Sequence, residues 1–210
     1  MGNGVLITAA DVRYAGSIWS DLVSGSNVRK TKISTKISYD GGLTWSDLSI
    51  LNAKDGSNGA NDDDYMALVT DPALVYNQAT NTALMFGLRN NVHLTDGTVS
   101  SGNPDHVNGV PGTQASDFVM FISKDQGKTW TTKSIYNDVL DQINKQDAGN
   151  KYSIVFQGPG GGMVYNNKIY VPIQAFATKA HNNGKGVSTS GFMVSEDNGV
   201  NWTVSKMINT

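Results

Sequence analysis

Short apolar runs separated by polar, glycine-rich segments dominate the chain. Three of these runs each lead into the same eight-residue pattern, Ser-x-Asp-x-Gly-x-(Thr/Asn)-Trp. The copies of the pattern read SYDGGLTW from Ser38, SKDQGKTW from Ser123 and SEDNGVNW from Ser195. The preceding runs, residues 33–37, 117–122 and 191–194, are short and β-prone, and the first alternates between apolar and polar positions. We therefore predict a β-strand before each copy of the pattern.

The pattern itself predicts a tight turn between two strands. Its Ser and Asp side chains can hydrogen bond to backbone groups within the turn, and its Gly supplies a positive φ that a Cβ would resist. Its Trp enters the next strand, where we expect it to bury a large face between neighbouring segments. Three of the four Trp residues of the chain close these turns, so most of the indole surface is committed to one structural role.

Two further hairpins lie between the copies of the pattern. One joins residues 73–76 to residues 82–86 through a polar link, and the other joins residues 162–165 to residues 168–171 through Asn166-Asn167, a pair that suits a type I′ turn. Each repeat thus offers about four strands. The copies start 85 and 72 residues apart, and a period of this length suits multi-strand units.

We predict an all-β fold in which each unit is a propeller blade. The units are an incomplete first blade, a second blade and a third blade, at residues 1–50, 66–138 and 152–210. One helix is expected, Tyr136–Lys145, with apolar residues at helical spacing, and it connects the second blade to the third. Propellers close with about four to eight blades. Two and a half blades therefore predict either part of a longer protein or an open stack with exposed edges.

The composition narrows the range of partners. Lys and Arg number 16 and Asp and Glu number 18, so with a net charge of −2 we expect neither nucleic acid nor an anionic membrane as partner. No apolar run approaches the roughly 18 to 20 residues that span a bilayer, so no membrane insertion is expected. The chain has no Cys, its three His residues are far apart, and the acidic run at residues 55–64 lacks the EF-hand spacing. We therefore expect no disulfide and no metal site.

The eight-residue patterns carry a resemblance to a known family. SYDGGLTW, SKDQGKTW and SEDNGVNW are similar to the Asp-box repeats of sialidases. Stretches similar to segments of sialidase catalytic domains occur in the family's order: ADVRY from Ala10, TDPALV from Thr70, QGPGGGM from Gln157 and VPIQ from Val171. The resemblance implies the N-terminal half of a six-bladed β-propeller, of which this chain covers about two and a half blades. It also implies that the boxes close outer turns remote from substrate, so that Asp40, Asp125 and Asp197 are structural.

The resemblance further implies an exo-α-sialidase that acts on sialylated glycans or glycoproteins with retention of configuration and without a cofactor. Sialidases use a Tyr nucleophile assisted by a Glu, an Asp acid/base and three Arg that hold the sugar carboxylate. A neutral phenol suits this substrate, because a carboxylate nucleophile would be repelled by the sugar's own carboxylate. Guanidinium forks suit that planar carboxylate. For the full-length protein the resemblance implies a secreted or cell-surface bacterial location.

The resemblance assigns roles to individual residues. Asp21 is the expected general acid/base, which protonates the departing glycosidic oxygen and later activates water; Asp11 competes for this role, and a solvated loop Asp is the structural alternative. Arg13 and Asp71 match residues that contact the O4 side of the sugar. The alternatives are an ion pair between Arg13 and Asp11 and a turn role for Asp71 before Pro72.

Two further side chains are candidate substrate contacts. Gln174 corresponds to a residue near the N-acetyl or glycerol side of the sugar, and Trp19 could stack on the aglycone or anchor its loop. The glycine run at residues 158–162 lacks the Lys-Ser/Thr ending and the following helix of a phosphate-binding loop. We predict instead that it is a strand entry where backbones crowd together.

The remaining catalytic parts are not expected in this chain. The resemblance assigns the nucleophilic Tyr, its Glu and the Arg clamp to sequence outside these 210 residues, and Arg29 and Arg89 are predicted to be surface or loop charges. The isolated chain is therefore expected to be inactive. The alternatives are a non-catalytic Asp-box propeller that binds glycans or proteins, and a trans-sialidase or an intramolecular variant of one.

Overall fold

The computed structural model describes residues 4–13, 31–51, 69–90, 116–158, 160–177 and 186–209. Within these residues the chain forms one helix and fourteen strands, so the prediction of a mostly β structure is confirmed. In chain order the elements are β1 (Leu6–Arg13), β2 (Thr31–Ser38), β3 (Ser49–Ile50), β4 (Val69–Asn77), β5 (Thr82–Asn90), β6 (Ser116–Ser123), β7 (Thr131–Ser134), α1 (Tyr136–Gln146), β8 (Ile154–Gln157), β9 (Gly160–Gly161), β10 (Met163–Tyr165), β11 (Lys168–Ala177), β12 (Val187–Ser195), β13 (Thr203–Val204) and β14 (Ile208–Asn209).

The strands form three sheets in the described part of the chain. The first sheet has the order β1-β2-β3, and the second has the order β7-β6-β5-β4-β9. The third has the order β10-β11-β12-β13, with β8 also paired to β11 and β14 to β12. Paired strands are antiparallel except β4 and β9, which run parallel.

The three sheets share one register relative to their boxes. In each sheet the box Ser pairs with a residue early in the preceding strand: Leu6 with Ser38, Ala83 with Ser123, and Ile169 with Ser195. The strands β1, β5 and β11 therefore occupy equivalent positions. In the second and third sheets this strand has a further neighbour, β4 or β10, whereas β1 has no such neighbour among the described residues.

Both hairpins predicted between the boxes are confirmed. Asn77 pairs with Thr82, which closes the first hairpin over four residues. Tyr165 pairs with Lys168, which leaves Asn166-Asn167 as a two-residue turn. The φ angles of these two Asn residues are 48° and 59°, the paired positive values that a type I′ turn requires.

The predicted box turns form with the same hydrogen bonds in all three copies. In the second box, Ser123 Oγ accepts from the Gly127 N–H and donates to Asp125 Oδ1, both at 2.8 Å. Asp125 also accepts from the N–H and the hydroxyl of Thr129, at 3.0 and 2.5 Å. The corresponding bonds of the other two boxes are 2.5 to 2.9 Å long. The fifth residue of each box is a Gly with positive φ, between 86° and 98°.

The second and third boxes rest on the sheet that comes before them. A Cβ on Gly127 would lie 2.6 Å from Ile7 Cδ1 of the first sheet, and a Cβ on Gly199 would lie 2.9 Å from Leu84 Cδ1 of the second. A Cβ at these distances would force the neighbouring side chain to shift. The glycine of the box therefore serves two needs, the left-handed backbone of the turn and its close approach to a neighbouring sheet.

The Trp residues of these two boxes confirm the predicted burial. Trp130 is 5% exposed and packs in the cluster that joins the first and second sheets. Trp202 is 6% exposed and packs in a larger cluster between the second and third sheets, where its ring meets the ring of Phe86 edge-on with centroids 5.5 Å apart. Each indole thus fills the space between its own sheet and the preceding one.

The expectation that all three box Trp residues are buried is wrong for Trp45. Its exposed fraction is 42%. Trp45 belongs to the first sheet, and no described sheet lies on the side where Trp130 and Trp202 find their partners. The difference follows from the stacking order of the sheets, because the box turn itself is the same.

The predicted helix is confirmed as α1, which extends one residue beyond Lys145. Its apolar residues Val139, Leu140 and Ile143 are fully buried in the larger cluster. The helix is therefore part of the core between the second and third sheets as well as a connector. In the part of the chain that the structure describes, no helix is long and apolar enough to cross a membrane.

The predicted crowding of backbones at the glycine run is also confirmed. Gly160 and Gly161 leave the third sheet and pair as β9 with Ala73 and Leu74 of β4. A Cβ on Gly161 would lie 2.9 Å from the Leu74 carbonyl oxygen. The run thus allows one chain segment to lie against a strand of another sheet.

Replacing Gly127 by Ala tests how the second box packs against the first sheet. We expect the free energy of unfolding to fall by about 2–4 kcal/mol, because the new Cβ meets Ile7 and the residue has a φ of 86°. Urea unfolding followed by Trp fluorescence measures the change. The matched control is Gly149→Ala, where the Cβ lies at an ordinary 3.5 Å from Asp147 Oδ1; a control loss as large as that of Gly127→Ala would contradict the interpretation.

The carboxylates of the three boxes predict that the stability of the fold decreases in acid. Hydrogen bonds from the Thr44 side chain, the Thr44 N–H and Ser38 lower the pKa of Asp40 to about 2, and the pKa of Asp197 is likewise lowered by its bonds to Asn201. Partial burial raises the pKa of Asp125, but its bonds to Thr129 and Ser123 outweigh this and lower it overall.

A lowered folded-state pKa stabilises the fold above the unfolded value of 3.8, and this contribution is lost as pH falls toward about 2. We therefore expect the urea midpoint to fall between about pH 5 and pH 2. Asp125→Asn should be less stable at neutral pH and should show a weaker fall on acidification. Asp141→Asn, an exposed carboxylate on α1, is the control, and an unchanged pH profile in Asp125→Asn would contradict the assignment.

Candidate functional site

The boxes and the candidate site residues lie at opposite edges of the sheets. The first box begins at Ser38, which pairs with Leu6 at the start of β1, whereas Arg13 ends β1 at the other edge. At roughly 3.3 Å per residue, Asp11 lies about 17 Å along β1 from Leu6. The carboxylates of the boxes are engaged in their own turns, in agreement with the structural role predicted for them.

Two candidate residues from different sheets meet at the edge away from the boxes. Asp11 Oδ1, on β1 of the first sheet, accepts a hydrogen bond from the Asp71 N–H on β4 of the second sheet at 3.0 Å. Both residues are half-buried. The contact joins positions 60 residues apart in the chain. It brings together two stretches that the sequence had identified separately.

The backbone at Asp71 is unusual and explains why this contact forms. The pairing of β4 with β5 is interrupted by a bulge between Thr70 and Ala73, and Asp71 has a φ of 59°. Asp tolerates this left-handed conformation better than most residues, and Pro72 disfavours a helical conformation at the residue before it. The bulge releases the Asp71 N–H from the sheet and turns it toward Asp11.

The bulge is held from both sides. The Asp71 carbonyl accepts a hydrogen bond from the side chain of Gln157, at the end of β8 in the third sheet, and Thr70 Oγ1 donates to Asp71 Oδ2 at 3.1 Å. All three sheets therefore contribute to the position of one residue. The half-buried Asp71 carboxylate is oriented by a fixed backbone and can accept hydrogen bonds from hydroxyl groups.

Gln157 is a residue of this site that sequence reasoning missed. It is fully buried, and its Oε1 has no hydrogen-bond partner among the described residues. A buried acceptor of this kind costs about 1–3 kcal/mol unless water or another group satisfies it. The sequence marks Gln157 only as the first residue of the QGPGGGM stretch, because its contact depends on a bulge 86 residues earlier.

Gln174 occupies in the third sheet the position that Asp11 occupies in the first. Each lies five residues beyond the partner of its box Ser, Ile169 or Leu6. The neighbours of Gln174 along β11, Ile173 and Ala175, are buried in the core toward the second sheet, so the half-buried Gln174 side chain lies on the opposite face of the third sheet. The described residues do not bring it to Asp71.

The prediction that Arg89 is a surface or loop charge is wrong. Arg89 lies in β5, its side chain is 13% exposed, and one guanidinium nitrogen contacts Asp117 Oδ2 at 2.5 Å. The Asp117 side chain is 2% exposed, and Asp117 Oδ1 accepts from the Ser134 hydroxyl at 2.5 Å. A buried carboxylate requires a positive partner close by, which is why the cation is drawn into the sheet.

The remaining sequence candidates lie wholly or partly outside the described residues. Asp21, Trp19 and Arg29 fall between residues 13 and 31, and for Arg13 the structure describes the backbone, which pairs with Thr31. Their assignments stay predictions, as do those of Asp71 and Gln174. Within the described ranges there is no group of three or more His, Asp or Glu residues that could hold a metal ion.

Replacing Asp11 by Ala tests the hydrogen bond between Asp11 of the first sheet and Asp71 of the second. The Asp71 N–H would lose its acceptor, so we expect its hydrogen exchange to accelerate by about tenfold or more and stability to fall by about 1–3 kcal/mol. Exchange followed residue by residue by NMR reports the effect at Asp71. Asp11→Asn keeps an acceptor oxygen and should stay close to wild type, whereas unchanged protection in Asp11→Ala would contradict the contact.

Solved structures provide matches to the whole described fold. Trypanosoma rangeli sialidase in complex with sialic acid matches with a TM-score of 0.63 at 18% identity, over 97% of this chain and 28% of that one. The K499G mutant of NanB sialidase from Streptococcus pneumoniae matches with a TM-score of 0.60 at 14% identity, over 100% of this chain and 43% of that one. The intramolecular trans-sialidase from Ruminococcus gnavus matches with a TM-score of 0.52 at 14% identity, over 100% of this chain and 69% of that one.

At these identities the likeness concerns the fold, and the chain spans less than half the length of the T. rangeli and S. pneumoniae proteins. No curated protein sequence matches the chain. A family model described as a BNR repeat-like domain matches residues 2–210. The chain therefore has a sialidase-like fold and belongs to the BNR repeat-like domain family.

Proposed function

We propose that this chain is part of the catalytic domain of an exo-α-sialidase, a six-bladed β-propeller that hydrolyses terminal sialic acids from glycans or glycoproteins. In this proposal the first, second and third sheets belong to successive blades. The chain supplies the acid/base Asp21 and one side of the sugar pocket. The nucleophilic Tyr, its Glu and the Arg clamp come from the remainder of a longer polypeptide.

The observation that carries the proposal is the contact between Asp11 and Asp71 at the edge away from the boxes. The motif Asp-Val-Arg ends β1 at this edge, and Asp71, the third residue of β4, lies there in a bulge held by Asp11 and Gln157. Two stretches similar to sialidase segments are thus adjacent in space. A carboxylate on a fixed backbone suits recognition of a sugar hydroxyl, since its orientation does not have to be established on binding.

The proposed chemistry follows from the substrate. Asp21 donates a proton to the departing glycosidic oxygen and later removes a proton from the attacking water. Arg13 and Asp71 bind the O4 side of the sugar, Gln174 contacts its N-acetyl or glycerol side, and Trp19 stacks near the aglycone. No cofactor takes part, and the proposed location of the longer protein is secreted or at the bacterial cell surface.

Transfer of sialic acid is the second candidate reaction. One mutant of the T. rangeli sialidase displays trans-sialidase activity, and the match from R. gnavus is an intramolecular trans-sialidase, so structures similar to this chain carry both hydrolysis and transfer. Transfer requires exclusion of water and a site for the acceptor sugar. Measuring the ratio of free to transferred sialic acid with lactose as acceptor separates the two reactions.

Asp21→Ala in the longer polypeptide tests the proposed acid/base. We expect kcat on a natural sialoside to fall by about 10²–10⁴-fold, with a much smaller loss on an aryl sialoside whose leaving group needs no proton. The 210-residue chain alone should release no sialic acid from either substrate. Asp138→Asn, an exposed carboxylate on α1, is the control, and equal losses on both substrates would remove Asp21 from this role.

A further inference from the structure

The backbone of Asp71 is held by side chains and not by a neighbouring strand. The register between β4 and β5 shifts between Thr70 and Ala73, and on the other edge of β4 the pairing with β9 begins only at Ala73. The Asp71 N–H donates to Asp11, and the Asp71 carbonyl accepts from Gln157. Side chains from the first and third sheets therefore satisfy the two backbone groups that a strand partner satisfies elsewhere in β4.

Gln157 reaches Asp71 from a segment that contacts β4 a second time. Gln157 ends β8, where it pairs with Ile173 of the third sheet. A few residues later the same segment forms β9 along β4, and the Gly162 N–H donates to the Leu74 carbonyl oxygen at 3.2 Å. The distance between the Gln157 amide and the Asp71 carbonyl therefore depends on how closely these glycines approach β4.

Gly161 is the glycine that limits this approach. A Cβ on Gly161 would lie 2.9 Å from the Leu74 carbonyl oxygen, a backbone atom that moves only if β4 moves. Gly161 has no positive φ, so the close approach alone requires glycine at this position. A Cβ on Gly158 would instead lie 3.9 Å from the ring of Pro172, which is an ordinary contact. The two glycines of one run thus differ in what an added methyl group would displace.

Stability does not account for the amide of Gln157. Its side chain is fully enclosed, and its Oε1 has no hydrogen-bond partner in the described part of the chain. A buried amide with an unpaired oxygen lowers stability, whereas Met has a similar size and no such oxygen. Features that lower stability in this way are typical of functional sites. The remaining role of the amide is to bind the Asp71 carbonyl through Nε2.

We propose that Gln157 and Gly161 are positioning residues of the sugar site. Gln157 orients Asp71 by binding its carbonyl, and Gly161 sets the separation at which Gln157 does so. The inference rests on the proposed function, in which the Asp71 carboxylate binds the 4-hydroxyl of sialic acid. A hydrogen bond to that hydroxyl depends on direction as well as distance. Because two sheets fix the backbone of Asp71, its carboxylate is oriented before the substrate binds.

NMR of the 210-residue chain tests the positioning without reference to activity. Gln157→Met removes the Nε2 donor and should shift the carbonyl ¹³C resonance of Asp71, and Gly161→Ala should shift it in the same direction. Since Gly161 acts through Gln157, the double variant should shift the resonance no further than Gln157→Met alone. Gly158→Ala is the matched control and should leave the resonance unchanged.

Urea unfolding verifies that each variant is folded, and the midpoint of Gln157→Met should stay close to that of the wild type. Gln157→Met decides the outcome if Gly161→Ala does not fold. An unmoved Asp71 resonance in folded Gln157→Met would overturn the proposal.

Kinetics of the longer polypeptide test the consequence for the sugar. We expect Gln157→Met and Gly161→Ala to lower kcat/KM on a natural sialoside by about tenfold, mainly through KM. On a 4-deoxy sialoside, which has no hydroxyl for Asp71 to bind, the change should be less than about twofold. Equal losses on both substrates would overturn the proposal, because the two residues would then act elsewhere. A wild-type polypeptide without sialidase activity would overturn the proposed function instead, and the Asp71 resonance would still decide the positioning.

Discussion

The arrangement of the sheets depends on how closely a box turn can approach the sheet before it. The turn is rigid, since the side chains of one Ser and one Asp make four hydrogen bonds within eight residues, one of them to each other. Its glycine has no side chain at the point of contact, and its Trp fills the space beside that contact. The same three features set the spacing of the first and second sheets and again of the second and third. A change in any of them alters the position of one whole sheet relative to another.

The candidate site depends on that spacing. Asp11, Asp71 and Gln157 come from three different sheets, and their hydrogen bonds form only if the junctions hold the sheets at the right separation. The boxes are remote from these residues and bear no direct relation to their chemistry. They nevertheless determine the geometry of the opposite edge, because they set the separation of the sheets that carry these residues.

The local sequence pattern predicted most of the fold, because the interactions that form these elements join residues close to one another in the sequence. The three turns, the Asn166-Asn167 hairpin and the helix at Tyr136 each follow from residues within one segment. Prediction failed where the partner comes from elsewhere. The exposure of Trp45 depends on which sheet lies beside the first, and the burial of Arg89 depends on Asp117, 28 residues away. Gln157 was missed for the same reason, since nothing near it in the sequence indicates the bulge that it contacts.

The short strand β9 has a consequence for how the chain can be divided. Gly160 and Gly161 come from the segment between β8 and β10 of the third sheet, yet they pair with β4 of the second. The Gly162 N–H also donates to the Leu74 carbonyl at 3.2 Å. Removing the third sheet at its apparent boundary would therefore strip an edge strand from the second and expose its backbone donors and acceptors. The two sheets exchange hydrogen bonds across the boundary that sequence repeats suggest, so they should behave as one unit in truncation, proteolysis and domain grafting.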